Sequence, residues 1–61
     1  MMKDIEPNSL HTPEEVSQIL RMSLSWVRQA IARKRLPAIH IGGKSFVRGE
    51  TLFHIMRNGL K

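Results

Sequence analysis

The residues Leu20-Arg-Met-Ser-Leu-Ser-Trp-Val-Arg-Gln-Ala-Ile-Ala-Arg-Lys-Arg-Leu-Pro37 predict the end of one helix, a tight turn and the whole of a second helix. Ser23 begins the second helix, because its hydroxyl is a good acceptor for the free N–H groups of a first helical turn. Apolar residues then recur at a spacing that places them on one side of a helix, namely Leu24, Val27, Ala30 and Ile31.

The other side of this second helix has the composition of a binding face. At about 100° per residue, it presents Ser25, Gln29, Ala32 and Arg33, with Trp26 and Arg28 on its two flanks. It carries no acid, whereas a merely solvated helix usually carries charges of both signs. This face therefore favours a polyanionic partner.

The end of the second helix is unusual, because the chain has no glycine at the position where helices commonly stop. Pro37 pushes the residue before it out of the α region, so the helix must end near Lys34 or Arg35. We expect either that one of these two residues adopts the left-handed conformation or that the last turn frays.

Charge is segregated along the chain, which has a formal net charge of +5. Four of the five acids precede residue 20, and the fifth is Glu50. Between them, every charged residue from position 21 to 48 is basic: Arg21, Arg28, Arg33, Lys34, Arg35, Lys44 and Arg48. Such a basic block is the electrostatic footprint of phosphate binding, and the alternative is a surface charge that only aids solubility.

Length and composition exclude several classes of protein. The 61 residues make one small domain without room for an enclosed active site. There is no cysteine, the histidines are too scattered for a metal site, and we predict neither a cofactor nor an enzymatic activity. No apolar run approaches the roughly 20 residues of a membrane span and no signal-peptide core is visible, so we expect a soluble cytoplasmic protein.

The segment before the second helix is predicted to contain an arm and a first helix. Residues 1–9 are polar and aperiodic, which indicates a flexible arm. Thr12-Pro13-Glu14-Glu15 is a strong helix start, with threonine at the N-cap, proline at the first helical position and Glu15 placed to complete a capping box. The buried stripe of this helix, which should end near Arg21, is Val16, Ile19 and Leu20.

The segment after Pro37 predicts a hairpin and a third helix. Residues 38–41 alternate with a period of two, residues 42–45 (Gly-Gly-Lys-Ser) are a turn signal, and residues 46–48 are a short return strand. The third helix opens at residues 49–51, buries Leu52, Ile55 and Met56, and closes at residues 58 and 59. We therefore predict a mainly α fold with a small β-hairpin, a winged helix-turn-helix over residues 10–58, followed by a C-terminal tail over residues 59–61.

The order and spacing of several short motifs resemble the excisionase-type, MerR-like winged-helix DNA-binding domains from about Leu10 to Met56. Residues 10–16 (Leu-His-Thr-Pro-Glu-Glu-Val) are similar to the opening "L-T-x-x-E-V/A", and Met22-Ser23-x-Ser25-x-Val27 resembles "V-S-x-S-T-V". Residues 31–42 are similar to "I-R-R-G-E-L-P-A-x-x-I-G", and residues 50–52 (Glu-Thr-Leu) resemble "E-D-L".

The resemblance implies that the helix from Ser23 to Lys34 enters the major groove of DNA and that the Gly42–Ser45 turn is a wing at the backbone or minor groove. The chain departs from the family pattern at three positions. Lys34 replaces the usual glycine after the recognition helix, and Arg35 replaces an acid. Where the second wing strand of the family often carries an aromatic residue followed by arginine, this chain has Ser45-Phe46. Either Phe46 is exposed on the wing or the strand is shifted by one residue, which would exchange its faces.

Candidate DNA contacts on the second helix follow from side-chain chemistry. Gln29 and Arg33 can pair with the edges of adenine and guanine, or both can reach phosphates instead. Ser25 and Trp26 should approach the sugar-phosphate or a thymine methyl group, although Trp26 is equally suited to capping the core. Arg28 is predicted to clamp the backbone, and Ser23 completes this set.

Candidate backbone contacts outside that helix are mostly cations near the wing. Lys44 would bind phosphate from the hairpin tip as a point charge, with idle surface charge as the alternative. The other members of this set are Arg21, His40, Ser45 and Arg48.

Three functions remain open from the sequence. The resemblance implies an excisionase, a recombination directionality factor whose tandem copies bend attachment-site DNA and bias a site-specific integrase toward excision. A small transcriptional regulator of a phage or mobile element would have the same fold. An adaptor domain that docks an acidic protein is the alternative from a different class. Double-stranded DNA is thus the predicted partner, with an integrase and self-association on DNA as further ones.

Overall fold

A computed structural model describes residues 5–60 and contains three helices and three short strands. In chain order they are β1 (Leu10–His11), α1 (Pro13–Leu20), α2 (Leu24–Ala32), β2 (Ile39–Ile41), β3 (Lys44–Arg48) and α3 (Gly49–Asn58). The strands form one antiparallel sheet in the order β1-β3-β2. This architecture confirms the predicted winged helix-turn-helix, mainly α with a small β wing.

The predicted starts of α1 and α2 are confirmed. The Oγ1 atom of Thr12 accepts a hydrogen bond from the backbone N–H of Glu15 at 3.2 Å, and the Glu15 carboxylate accepts one from the Thr12 N–H at 3.0 Å. These two bonds complete the capping box of α1. At α2, the Ser23 hydroxyl accepts from the Trp26 N–H at 3.0 Å.

Both helices of the helix-turn-helix end in the same backbone motif. Arg21 (φ +58°) and Lys34 (φ +60°) are left-handed, and the residue after each donates its N–H to a carbonyl five positions earlier. This pattern is a Schellman motif. Of the alternatives open from the sequence, the structure selects Lys34 as the left-handed residue. The last helical residue is Ala32, two positions before Lys34.

The hairpin differs from the prediction in its turn and in its partners. Gly42 and Gly43 alone form the turn, both with positive φ, so Lys44 and Ser45 belong to β3 rather than to the turn. A third strand, β1, pairs with β3 and makes the sheet three-stranded. Two-residue turns with positive φ at both positions match the twist of paired strands, which explains the shorter turn.

The open question about Phe46 is resolved by the strand register. Phe46 is paired with Ile39 and is half-buried. Its neighbour Val47 is fully buried, and successive side chains of a strand point to opposite faces. Phe46 therefore lies on the outer face of the sheet, and Val47 packs into the core.

The core lies between the helices and the inner face of the sheet. It is built from Val16, Val27, Ala30, Leu36, Val47, Leu52 and Ile55. The apolar sides predicted for α1 and α2 point into it, although Ile19, Leu20, Leu24 and Ile31 are only half-buried. The prediction for Met56 was wrong: its side chain is 37% exposed, because it lies on the margin of the stripe that Leu52 and Ile55 define.

The described part of the predicted N-terminal arm, residues 5–9, contacts the rest of the fold. Ile5 is buried, and the carbonyl oxygens of Pro7 and Ser9 accept hydrogen bonds from the N–H groups of Glu50 and Gly49 at 3.0 and 2.9 Å. Helix α3 has no side-chain cap, so these carbonyls satisfy its first N–H groups instead. Residues 1–4 lie outside the described residues. Leu60, predicted to belong to a tail, packs against the core.

Candidate nucleic-acid interface

Helix α2 buries one side and leaves its polar side open to solvent. Val27 and Ala30 face the core. The opposite face carries hydrogen-bonding and cationic side chains with no acid among them, all exposed: Ser25, Arg28, Gln29 and Arg33, with the small Ala32 between them. The face that the sequence predicts for α2 is thus free to contact a partner.

A cleft of about 1050 Å³ separates α2 from the wing. From α2 and the loop after it, Arg28 and Lys34 line one wall, and the wing supplies His40, Lys44 and Ser45. The Ser45 hydroxyl lies 3.1 Å from Nδ1 of His40, which ties the two wing side chains together. The cleft therefore brings four of the sequence-predicted site residues together: Arg28, His40, Lys44 and Ser45.

The first turn of α1 completes the lining of this cleft. Thr12, Pro13 and Glu14 lie there, and Glu14 places Oε2 3.4 Å from Nη2 of Arg28. Among the residues that line the cleft in the described chain, Glu14 is the one acid. Arg28, which is predicted to clamp the DNA backbone, is thus ion-paired within the protein in the absence of DNA.

The other flank of α2 carries a second group of predicted residues. Trp26, Gln29 and Arg33 border a shallow depression together with Arg35 and Leu60. Trp26 is half-buried and packs against the core. The structure therefore gives the tryptophan a packing role and leaves Gln29 and Arg33 beside it as the exposed polar groups of this flank.

Ser23, Arg21 and Arg48 lie outside both the cleft and the exposed polar face of α2. Ser23 is exposed at the N-terminus of α2, where its hydroxyl already caps the helix, and Arg21 is exposed in the turn before it. Arg48 lies at the far end of β3 from Lys44, about 13 Å away at the usual rise per strand residue. Its guanidinium is 3.7 Å from a carboxylate oxygen of Glu50. Arg48 and Lys44 therefore do not form one cluster.

Sequence reasoning did not include Lys34 or the start of α1 in the site. Lys34 carried a signal, because it occupies a position where a helix would normally end in glycine. The start of α1 carried none beyond its capping pattern. Its approach to Arg28 depends on the angle between two helices, which the spacing of residues within one helix does not determine.

The cleft and the exposed face of α2 offer donors and positive charge. Arginine and lysine bind phosphate, and glutamine and arginine also match base edges. A three-helix core that presents its second helix beside a short wing defines the class of winged helix-turn-helix domains, in which that helix serves for DNA recognition.

A comparison with protein-family models places the chain within this class. The model described as a helix-turn-helix domain matches residues 12–59, and the chain belongs to that family. No curated protein and no solved structure matches the chain in the corresponding searches. Among residues 5–60, no helix has both the length and the apolarity that a membrane crossing requires.

Proposed function

We propose that this chain binds duplex DNA sequence-specifically, with α2 in the major groove and the wing against the adjacent backbone. The observation that carries the proposal is the pairing of an exposed, acid-free helix face with a cleft lined by Arg28, Lys34, His40 and Lys44. A helix in the major groove and a wing on its flank must straddle a phosphate backbone. The cleft between them supplies cations at that position, which supports this mode of binding.

We further propose that the biological role is that of an excisionase, which bends attachment-site DNA and directs an integrase toward excision. The support is the resemblance of residues 10–56 to excisionase-type, MerR-like domains, together with membership of the helix-turn-helix family. Helix-turn-helix domains act by binding, and the proposal includes no catalytic step. Footprinting on DNA that flanks the encoding locus tests this role, since an excisionase protects sites within the attachment region.

The salt dependence of binding tests the phosphate contacts. On random-sequence duplexes, log K should fall linearly with log[salt] at about −0.9 per neutralised phosphate, with about four to six contacts for a module of this size. Lys44→Ala should flatten the slope by roughly one unit and leave sequence preference unchanged. Arg57→Ala, which removes an exposed cation from the last turn of α3, is the control and should leave the slope unchanged. An affinity that does not depend on salt contradicts DNA binding.

Base reading is tested on a duplex selected from a random pool. Gln29→Ala and Arg33→Ala should each cost about 1–3 kcal/mol on the selected sequence and much less on random DNA. Equal losses of binding free energy on the selected and random duplexes would indicate that these side chains contact phosphate. The adaptor alternative predicts that neutralising Arg33 and Lys44 has little effect on DNA affinity.

A further inference from the structure

The ion pair between Glu14 and Arg28 lies where DNA would have to bind. Both residues line the cleft between α2 and the wing, and their charged atoms are 3.4 Å apart. The side chains are 60% and 62% exposed, so the pair contributes little to the stability of the fold. A phosphate in the cleft would also bind Arg28. We therefore expect the pair to affect phosphate binding more than it affects the stability of the fold.

The carboxylate of Glu15, the next residue in the sequence, is directed to the start of α1 rather than to Arg28. Glu15 accepts the Thr12 N–H and lies 3.5 Å from Nδ1 of His11, which directs it to the helix cap. Glu14 makes no such capping contact with its side chain, and its carboxylate is directed to α2. Of the two adjacent acids, Glu15 therefore stabilises the start of α1, and Glu14 lies at the candidate interface.

A phosphate and Glu14 compete for the same guanidinium. Duplex DNA carries one negative charge per about 1.7 Å of its axis, and a phosphate that enters the cleft meets an Arg28 guanidinium that is already paired with Glu14. Arg28 can bind the phosphate only after its ion pair with Glu14 breaks. The free energy of that pair is therefore subtracted from the free energy of the phosphate contact. The same subtraction applies to every DNA sequence, because phosphates carry no sequence information.

We propose that Glu14 limits the affinity of this protein for DNA by holding Arg28 in the free state. This inference rests on the proposed function. It gives the highly basic chain a means of reducing retention on non-specific DNA.

The test compares Glu14→Gln with Glu6→Gln on random-sequence duplexes by fluorescence anisotropy across a salt series. The control removes the same charge from Glu6, an exposed acid that is not among the residues lining the cleft. At about 0.1 M salt we expect E14Q to bind about two- to fivefold more tightly than wild type. Its salt slope should steepen by about one phosphate contact. E6Q should change affinity less than about twofold, and thermal unfolding of both variants shows whether the fold is retained.

A double-mutant cycle shows whether Glu14 acts through Arg28. In an Arg28→Gln background, E14Q should give no further gain in affinity. An equal gain in that background overturns the proposal, since Glu14 would then repel phosphate directly. Unchanged or weakened binding of E14Q in the wild-type background also overturns it. Failure of the wild-type chain to bind the duplex at all overturns the proposed function instead.

Discussion

Gly49 has no space for a side chain, although its backbone conformation is an ordinary one. A Cβ built at this position would overlap the carbonyl oxygen of Glu6, and the Ser9 hydroxyl lies close behind it. The N-terminal segment approaches α3 this closely because its carbonyl oxygens receive the first N–H groups of the helix. The glycine is therefore required by a contact between two distant parts of the chain.

Gly49→Ala is expected to destabilise the protein by about 1–3 kcal/mol. In an open helix the same change would stabilise the protein by up to about 1 kcal/mol, since glycine is the less favourable helix residue. A destabilising effect therefore indicates that the N-terminal segment packs against Gly49. Chemical denaturation measures it. Glu50→Ala, which changes the adjacent exposed residue, is the control and should stay within about 0.5 kcal/mol. A stabilised G49A variant would show that residues 5–9 do not pack on α3 in solution.

At the scale of the elements, the end of α2 places a strained backbone conformation and a cleft-lining cation at the same residue, Lys34. The Schellman motif requires a left-handed residue, and Lys34 occupies it at φ +60° where glycine would be free of strain. The left-handed conformation costs about 1–2 kcal/mol for a residue with a Cβ. In return, the lysine contributes to the cationic lining of the cleft.

Lys34→Gly is expected to raise the free energy of unfolding by about 0.5–1 kcal/mol and to weaken DNA binding. The gain is smaller than the relieved strain, because glycine increases the entropy of the unfolded chain. Lys34→Ala is the matched control, since it removes the same charge and keeps the strain. Denaturation and anisotropy on both variants separate the two effects. If K34G and K34A are equally stable, the left-handed residue carries no measurable strain.

At the scale of the whole molecule, the wing presents two faces of different character. Strand register places Leu10, Ile39, Ile41 and Phe46 on the outer face, between Lys44 at the hairpin tip and Arg48 at the other end of β3. Leu10 and Ile41 are 44% and 52% exposed. Ser45 and Val47 lie on the inner face, which borders the core and the cleft. Under the proposed excisionase function, the outer face offers an apolar contact to a neighbouring copy on DNA.

We predict a monomer in free solution that occupies two or more adjacent sites cooperatively and bends the duplex. The elastic cost of bending, about 1–6 kcal/mol, is offset by contacts between neighbours. Phe46→Ala should reduce cooperativity more than single-site affinity, measured by titration of one-site and two-site duplexes. Met56→Ala, which removes an exposed apolar group from α3, is the control. A stable dimer that binds one inverted repeat without bending it, in circular-permutation gel shifts, would favour the transcriptional regulator.

Local chemistry explains why much of this molecule is predictable from its sequence. The caps at Thr12 and Ser23 act within one helical turn, and the buried sides of α1 and α2 follow from residue spacing alone. The exposed polar face of α2 is the complement of that spacing. The spacing of residues within α2 is therefore enough to predict that the candidate base-reading residues Gln29 and Arg33 are exposed.

Tertiary structure decided the features that join residues distant in sequence. The pairing of Leu10 with Arg48 makes a third strand, and Pro7 and Ser9 accept hydrogen bonds from the start of α3. The Glu14–Arg28 pair depends on how α1 crosses α2. Hydrogen bonds and charges between separate elements form only after the core has set the distances between those elements. The sequence by itself therefore determined the helices and the exposed face of α2, whereas the composition of the cleft, including its one acid among the described lining residues, was decided by packing.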